Sequence, residues 1–250
     1  MTGPDDGWAA DAWASLRRLT AARIGLARTG ASLATAPLLE FRLAHARARD
    51  AVHAPLDEAA LAAALAGLGL PVLCAASQAP DRRTYLLRPD LGRALAPGTL
   101  AAHRGAYDLA IVVGDGRSAQ AAGRHAPPLL KALRPTLRAT GWSLAPLVVA
   151  RHARVALGDA VAAALGAGSV LVLLGERPGL SAPDSLGAYL TWSPAPGTTD
   201  ADRNCVSNIR PDGLDSQQAA FKLAFLLDRM RTMRASGLRL KDESEAALLG

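Results

Sequence analysis

Apolar positions in the first hundred residues recur at the spacing of an α-helix. In the segment APLLEFRLAHARARDAV, four of them fall on one face of such a helix and arginines lie opposite: Leu38, Phe41, Ala44 and Ala48. A second helical pattern follows in HAPLDEAALAAAL, where Asp57 is suited to cap the first turn. The pattern breaks after that helix, and a short strand is expected at residues 84–87. These features predict a mainly helical region over residues 1–100.

The pattern changes from Asp108 onwards, where short apolar runs alternate with longer helical stretches. The runs in DLAIVVGDG, APLVVARHARV and GSVLVLLGERPG are continuous and rich in Val and Leu, as expected for strands buried on both faces. A stretch of crossover length separates each run from the next, which indicates parallel strands with helices on both faces. We therefore predict an α/β fold for residues 101–250, with a Rossmann-like, mostly parallel sheet that follows the helical N-terminal region.

One more strand and one more helix complete the predicted α/β region. The segment GAYLTW is expected to be a strand, whereas residues 193–214 show no apolar periodicity and are expected to form a loop. Loops of this length in compact domains are usually functional or disordered. Helical spacing returns in SQQAAFKLAFLLDRMRTMRASG, with Ser216 as the expected cap.

Polar side chains follow each of the three predicted parallel strands where the strand ends. Asp115 follows the first, Arg151 and Arg154 the second, and Glu176 and Arg177 the third. Ligands of open α/β sheets bind outside the carboxyl ends of the strands, so these residues mark the expected site. A carboxylate accepts hydrogen bonds and arginine only donates them, which suits a ligand with amide or hydroxyl donors. Ion pairs at the sheet edge are an equally good interpretation of Glu176 and Arg177.

The segment VVGDGRSA is a candidate phosphate-binding turn. Its glycines expose backbone N–H groups between a strand and a helix, but it lacks the third glycine of a dinucleotide fingerprint and the GK[ST] of a P-loop. A simple turn in which Asp115 caps the next helix is the more economical interpretation. Arg154 could be a solvated charge or a contact to phosphate.

Composition narrows the classes of partner and compartment. The net charge of +6 comes from arginines spread through helical stretches, without a lysine-rich tail, so nucleic-acid binding is not expected. Cys74 and Cys205 lie far apart and outside any CxxC spacing, which indicates a reducing compartment without disulfides. The histidines are scattered, so no metal site is expected. Neither a membrane span nor a signal peptide is visible, and the expected location is cytoplasmic.

The sequence shows no self-contained catalytic constellation. It has no Ser-His-Asp spacing and no pair of carboxylates placed for acid–base chemistry. Cys205 has no neighbouring histidine to activate it and is best interpreted as a small buried residue. The residues by themselves therefore indicate a ligand-binding α/β subunit. An independent nucleotide- or phosphate-binding protein that uses the VGDGRSA turn is the alternative.

Six segments occur in the same order as in one known family: LRRLTAARIGLARTG, TYLLRPDLGRAL, VGDGRSA, GERPGL, SLGAYLTWSP and DADRNCVSNIRPDG. From about residue 16 to residue 237, the chain closely resembles the small (light) subunit of ethanolamine ammonia-lyase. The resemblance implies an adenosylcobalamin-dependent lyase that converts ethanolamine to acetaldehyde and ammonia by a radical route. It also implies a TIM-barrel large subunit with the substrate residues, in a hetero-oligomer of six copies of each subunit.

The resemblance further implies which residues contact the cofactor. They are Val155 in RHARV, Glu176 in GERPG and Cys205 in DRNC, with Arg154 as a weaker candidate, and none of them is catalytic. The D-x-H-x-x-G pattern, by which some B12 proteins replace the lower base with histidine, is absent, so base-on binding is expected. Residues 1–100 are expected to contact the large subunit. The complex would be cytoplasmic, either free or inside a bacterial microcompartment.

Overall fold

Most of the chain is described by the computed structural model: residues 13–20, 22–98 and 100–246. Residues 13–17 are helical, and the N-terminal part then includes a two-stranded hairpin and two longer helices: β1 (Arg28–Thr29), β2 (Ser32–Leu33), α1 (Thr35–His53) and α2 (Glu58–Ala66). The Asp57 side chain accepts a hydrogen bond from the N–H of Ala60 and caps α2, as the sequence predicts. Within α1, Ala51 is the one buried residue. The predicted helical N-terminal region is confirmed.

Six strands form one mixed sheet, which confirms the predicted α/β class. In chain order they are β3 (Val72–Ala76), β4 (Tyr107–Gly114), β5 (Leu147–Arg151), β6 (Ala167–Gly175), β7 (Leu186–Trp192) and β8 (Arg203–Ile209). Side by side the order is β3, β5, β4, β6, β7, β8, and the first four are parallel. β7 is antiparallel to β6, and β8 is antiparallel to β7. The Rossmann-like parallel character applies to four strands only, because the chain returns from β6 to β7 without a crossover helix.

Helices cover both faces of this sheet. After α2 come α3 (Arg82–Leu87), α4 (Ala119–Ala139), α5 (Leu157–Leu165) and α6 (Ser216–Met233), with 3-10 turns at Leu91–Arg93, Ala101–His103, Asp200–Asp202 and Gly237–Arg239. Alternate residues of β4 enter two separate cores. Leu109, Ile111 and Val113 pack with residues of α2, α4 and α6, whereas Ala110 and Val112 pack with residues of α5. This two-sided burial explains why the strands are continuous apolar runs.

The chain reverses its direction across the sheet at β4. From β4 it passes through α4 to β5 on one side, and from β5 it passes through α5 to β6 on the other side. A crevice opens at such a switch point, outside the carboxyl ends of the strands. The fold thus places the residues that follow β4, β5 and β6 around one opening.

The expected strand at residues 84–87 is wrong, because these residues belong to α3. Asp81 caps this helix by accepting a hydrogen bond from the Thr84 N–H at 2.8 Å. Tyr85 is only 1% exposed and fixes the helix against the rest of the molecule. A local cap and one buried aromatic ring therefore outweigh the weak strand propensity of TYLL.

The expected loop at residues 193–214 is also wrong in part, because it contains β8. Pairing with β7 satisfies the backbone of β8, so this strand needs no apolar periodicity of its own. The cap of α6 is Asp215, and Ser216 is its first helical residue.

β3 belongs to the part of the chain before residue 100, yet it forms one edge of the main sheet by pairing with β5. The division into regions 1–100 and 101–250 stays a prediction.

None of the helices in the described ranges is long and apolar enough to cross a membrane.

Candidate functional site

A cleft of about 470 Å³ lies at the switch point, outside the carboxyl ends of β4, β5 and β6. Residues that follow these strands line it, together with one side chain each from α3 and β7. Its charged and aromatic lining residues are Tyr85, Arg117, Arg154, Glu176, Arg177 and Tyr189. The cleft therefore combines one acceptor with several donors, at the position where open α/β sheets bind ligands.

Glu176 is held at the cleft by one of its two carboxylate oxygens. Its Oε2 accepts hydrogen bonds from the Ser185 hydroxyl at 2.5 Å and from the Asn208 N–H at 3.2 Å. The backbone N–H of Glu176 also donates to the Ser185 carbonyl at 2.8 Å. Across the described part of the chain, Oε1 has no hydrogen-bond donor and the carboxylate forms no ion pair with Arg177 or any other cation. The carboxylate is thus oriented with one acceptor oxygen left for a ligand.

The Gly-rich turn after β4 forms part of the cleft and is tied to α3. Asp115 is only 2% exposed, and its carboxylate accepts hydrogen bonds from Arg82 and from the Ala153 N–H, each at 3.0 Å. At Gly116, whose φ is +52°, an added Cβ would lie 2.2 Å from a backbone oxygen of β6. Ser118 caps α4, so the expectation that Asp115 would do so is wrong. The buried charge of Asp115 is instead neutralised by Arg82.

Tyr85 forms one wall of the cleft and stacks on Arg154. The guanidinium carbon of Arg154 lies 4.5 Å from the ring centroid, and its Nη2 donates to the Tyr85 carbonyl at 3.2 Å. The Tyr85 hydroxyl donates to the Ala153 carbonyl at 3.1 Å, and burial raises the pKa of Tyr85 to about 12. The buried Nε of Arg154 has no hydrogen-bond partner among the residues that the structure describes. Stacking therefore holds Arg154 in place while leaving it spare donors.

Cys205 adjoins the cleft without lining it. It lies on β8 directly opposite Tyr189 of β7, and the two side chains share a hydrogen bond. The expectation that Cys205 is buried is wrong, because it lies exposed on the edge strand of the sheet. The protein atoms around it and the charge of Glu176 raise the pKa of its thiol. A raised pKa keeps a thiol protonated and weakly nucleophilic. Cys205 is therefore suited to contact a ligand and not to attack one.

The positive charge of the cleft comes from Arg117, Arg154 and Arg177. Burial lowers the pKa of Arg117, and the charges of Arg154 and Arg177 lower it further. Arg154 and Arg177 are therefore near enough to Arg117 for their charges to disfavour its charged form. This side of the cleft is electropositive.

A larger depression, of about 1040 Å³, lies between α2 and α4. Its charged lining residues are Lys131, Arg134 and Arg138, and alanine and proline form most of the rest. It lies away from the strand ends, and its lining includes neither a carboxylate nor any residue predicted from the sequence. We place the candidate site at the smaller cleft, because acceptor, donors and aromatic walls converge there.

The structure brings the predicted site residues to one place. Val155, Arg154 and Glu176 line the cleft, and Cys205 lies beside it. Sequence reasoning missed Arg117 and the tyrosines of α3 and β7. The position of Arg117 just after a predicted strand was a usable signal, whereas the tyrosine of α3 lay in a segment predicted as a strand. That these residues contact a cofactor stays a prediction.

The fold defines the chain as an α/β protein with a mixed sheet, and its candidate ligand site is the cleft at the switch point. Within the described ranges, no three His, Cys, Asp or Glu side chains group in a way that could hold a metal ion. Residues 10–241 match the model of the family "Ethanolamine ammonia-lyase light chain".

Similar proteins agree with this match. The chain is 54% identical to the ethanolamine ammonia-lyase small subunit of Azotobacter vinelandii over 244 residues, which cover 95% of this chain and 90% of the relative. It is 55% identical to that of Bradyrhizobium diazoefficiens over 234 residues, 92% of this chain and 90% of the relative. For Ralstonia nicotianae the identity is 52% over 244 residues, with coverage of 95% and 90%. The chain therefore belongs to the ethanolamine ammonia-lyase light-chain family.

Proposed function

We propose that this chain is the small subunit of an adenosylcobalamin-dependent ethanolamine ammonia-lyase, which converts ethanolamine to acetaldehyde and ammonia. The observation that carries the proposal is the convergence of Val155, Arg154 and Glu176 on one cleft, with Cys205 adjoining. The chain contributes cofactor contacts, and a large subunit holds the substrate residues in a hetero-oligomer of six copies of each. The complex works in the cytoplasm, free or inside a bacterial microcompartment.

The cleft has the chemistry that one edge of a cobalamin needs. The free Oε1 of Glu176 can accept hydrogen bonds from the amide side chains of the corrin rim, and Val155 and Cys205 offer apolar contact. A volume of about 470 Å³ suits a drug-sized ligand, and cobalamin is much larger. The chain can therefore hold only part of the cofactor, and a partner has to cover the rest.

Because this site is partial, the cofactor and the protein have separate roles. When bound, adenosylcobalamin supplies the radical chemistry, while the protein supplies orientation and a dry cavity. Glu176, fixed by Ser185, orients the rim of the cofactor, and the apolar side chains exclude water. If the cofactor binds base-on, as the absent D-x-H-x-x-G pattern predicts, its own lower base would remain the cobalt ligand. An electron paramagnetic resonance spectrum of the cob(II)alamin form checks this, and a histidine nitrogen as axial ligand would contradict it.

The proposed contact with the large subunit includes α1. Three of its apolar side chains face outwards, with exposed fractions of 58%, 38% and 52% for Leu39, Phe41 and Leu43. Apolar patches of this kind mark interaction surfaces. Leu39→Glu is therefore expected to reduce the fraction of this chain that co-purifies with the large subunit, and unchanged co-purification would remove α1 from the interface.

Glu176→Gln in the co-purified complex tests the proposed cofactor site. The wild-type complex should release ammonia from ethanolamine only when adenosylcobalamin is added. Glutamine keeps the size and one acceptor but removes the charge, so cofactor affinity should fall by about 1.5–3 kcal/mol. Glu243→Gln, an exposed carboxylate outside the cleft, is the matched control. Unchanged affinity in Glu176→Gln, or full activity of the large subunit alone, would argue against the proposal.

A second candidate, an independent nucleotide- or phosphate-binding protein, is favoured by the arginines beside the Gly-rich turn. The backbone of that turn opposes it. The N–H of Arg117 donates to the Gly175 carbonyl at 2.8 Å, and the N–H of Ser118 donates to the Asp115 carbonyl at 3.1 Å, so neither is free for a phosphate. Thermal-shift titrations with ATP and with adenosylcobalamin separate the candidates, because stabilisation by ATP alone would support the second.

A further inference from the structure

Three arginines line the cleft together, and no carboxylate in the described part of the chain pairs with them. Among the described residues, Arg117, Arg154 and Arg177 form no ion pair. Glu176 is the one carboxylate that lines the same cleft, and its Oε2 is already bonded to Ser185 and a backbone N–H. Three positive charges therefore share one opening with a single, partly engaged negative charge.

This arrangement carries an electrostatic cost in the absence of an anion. Arg154 lies against the ring of Tyr85 with a buried Nε that lacks a partner in the described part of the chain. Arg117 is half-buried, and repulsion from Arg154 and Arg177 adds to its desolvation. Buried or crowded charges are normally paired, so an unpaired group of three at a cleft indicates that a ligand supplies the negative charge.

We propose that Arg117, Arg154 and Arg177 bind a phosphate diester, and that this diester is the one in the nucleotide loop of the bound cobalamin. This inference rests on the proposed function, which it deepens by naming the part of the cofactor that the chain holds. Guanidinium groups suit it, because their planar fork matches phosphate oxygens and stays charged. The same edge of the ligand can then offer amide donors to Glu176 and an anion to the arginines.

A free nucleotide would present the same phosphate chemistry, but the site is built differently from a nucleotide cradle. The Gly-rich turn presses against β6, where a Cβ at Gly116 would come within 2.2 Å of the Gly175 oxygen, so the turn leaves no room for a phosphate on that side. Side chains, and not the backbone, thus supply the donors. A site of this kind fits a single diester held by a larger ligand better than a polyphosphate chain.

The test compares two corrinoids on the complex co-purified with the large subunit. Adenosylcobalamin contains the phosphate diester, and adenosylcobinamide lacks the nucleotide loop. Equilibrium dialysis gives the Kd of each for the wild type, Arg177→Gln and Arg117→Gln. Arg177 is exposed, so its replacement leaves the fold intact even if that of the half-buried Arg117 does not. Arg138→Gln, an exposed arginine at the far end of α4, is the control.

Loss of a hydrogen bond to a charged group predicts that each cleft variant raises the Kd of adenosylcobalamin about tenfold or more. The Kd of adenosylcobinamide should stay within about twofold, and the control should change neither. Equal losses for both corrinoids, or no loss for adenosylcobalamin, would overturn the inference while leaving the proposed function standing. A wild-type complex that binds neither corrinoid would overturn both, as would arginine-dependent binding of ATP in place of the corrinoids.

Discussion

Two sets of arginines in this protein differ in whether a carboxylate neutralises their charge. Arg203 of β8 donates to both carboxylate oxygens of Asp159, at 2.7 and 2.6 Å, and to the Thr191 hydroxyl at 2.9 Å. Arg82 likewise donates to Asp115 at 3.0 Å. These paired arginines are buried or nearly so, and each joins elements that are distant in sequence.

The cleft arginines Arg117, Arg154 and Arg177 lack such partners. Arg154 has a carbonyl at 3.2 Å and an aromatic ring, and no carboxylate pairs with the three anywhere in the described ranges. This difference shows that the burial of an arginine does not by itself identify a ligand-binding site. Charge neutralisation separates Arg82 and Arg203, which join distant parts of the fold, from the cleft arginines, which have no carboxylate partner in those ranges.

Asp159→Asn should produce the largest effect, because it removes the nearer of the two carboxylates that pair with Arg203, a side chain with only 3% of its surface exposed. Breaking a buried ion pair by removing one partner costs about 3–5 kcal/mol of unfolding free energy. Urea unfolding measures this loss of unfolding free energy. Asp212→Asn, whose carboxylate is 90% exposed beside Arg210, is the control and should cost less than about 1 kcal/mol. Similar losses for the two variants would erase the distinction between a buried ion pair and one with an exposed carboxylate.

Tyr85→Phe tests the residue that contacts both sets, because its ring lies under Arg82 and Arg154. The variant keeps the ring but removes the hydrogen bond to Ala153, which should cost about 1 kcal/mol at neutral pH.

The pH dependence of Tyr85→Phe adds a second readout. Burial raises the pKa of Tyr85 from 10.0 to about 12 in the folded state. A raised folded-state pKa means that the wild type gains stability below pH 10 and loses that gain as the pH rises towards 12. Tyr85→Phe should lack this alkaline loss, as measured by urea unfolding across the range. Tyr107→Phe serves as the control, and equal alkaline losses in all three proteins would contradict the prediction.

Arg177→Gln should produce the smallest effect on stability. Its side chain is exposed and unpaired within the described residues, so the unfolding free energy should change by no more than about 0.5 kcal/mol. A slight gain in unfolding free energy would also agree with Arg177 being unpaired, because removing its charge relieves the repulsion on Arg117. Destabilisation as large as that of Asp159→Asn would place Arg177 among the paired arginines.

Much of the fold could be predicted because its main strands are buried on both faces. The runs that became β4, β5 and β6 are apolar at nearly every position, and the crossover lengths between them fixed their parallel direction. β8 escaped prediction because its backbone is satisfied by a neighbour and its exposed side chains alternate irregularly. The helix at residues 82–87 was not predicted because a single cap at Asp81 outweighs the strand propensity of this segment.

The candidate site could be predicted only in outline. Strand ends and the family resemblance pointed to Glu176, Val155, Cys205 and Arg154, and the switch point explains why the residues after β4, β5 and β6 meet. The sequence left Arg177 as a candidate for an ion pair, because ion pairing depends on distances between side chains that are far apart in sequence.

The α/β class, the location of polar residues at the carboxyl ends of the strands and the family follow from the amino-acid sequence, since these depend on local periodicity and on residue order. The tertiary structure alone decided that β7 and β8 run antiparallel and that Ser185 fixes Glu176. It also decided which arginines are neutralised. Ion pairs and hydrogen bonds act over a few ångströms, and only the folded chain brings residues such as Asp159 and Arg203 within that range.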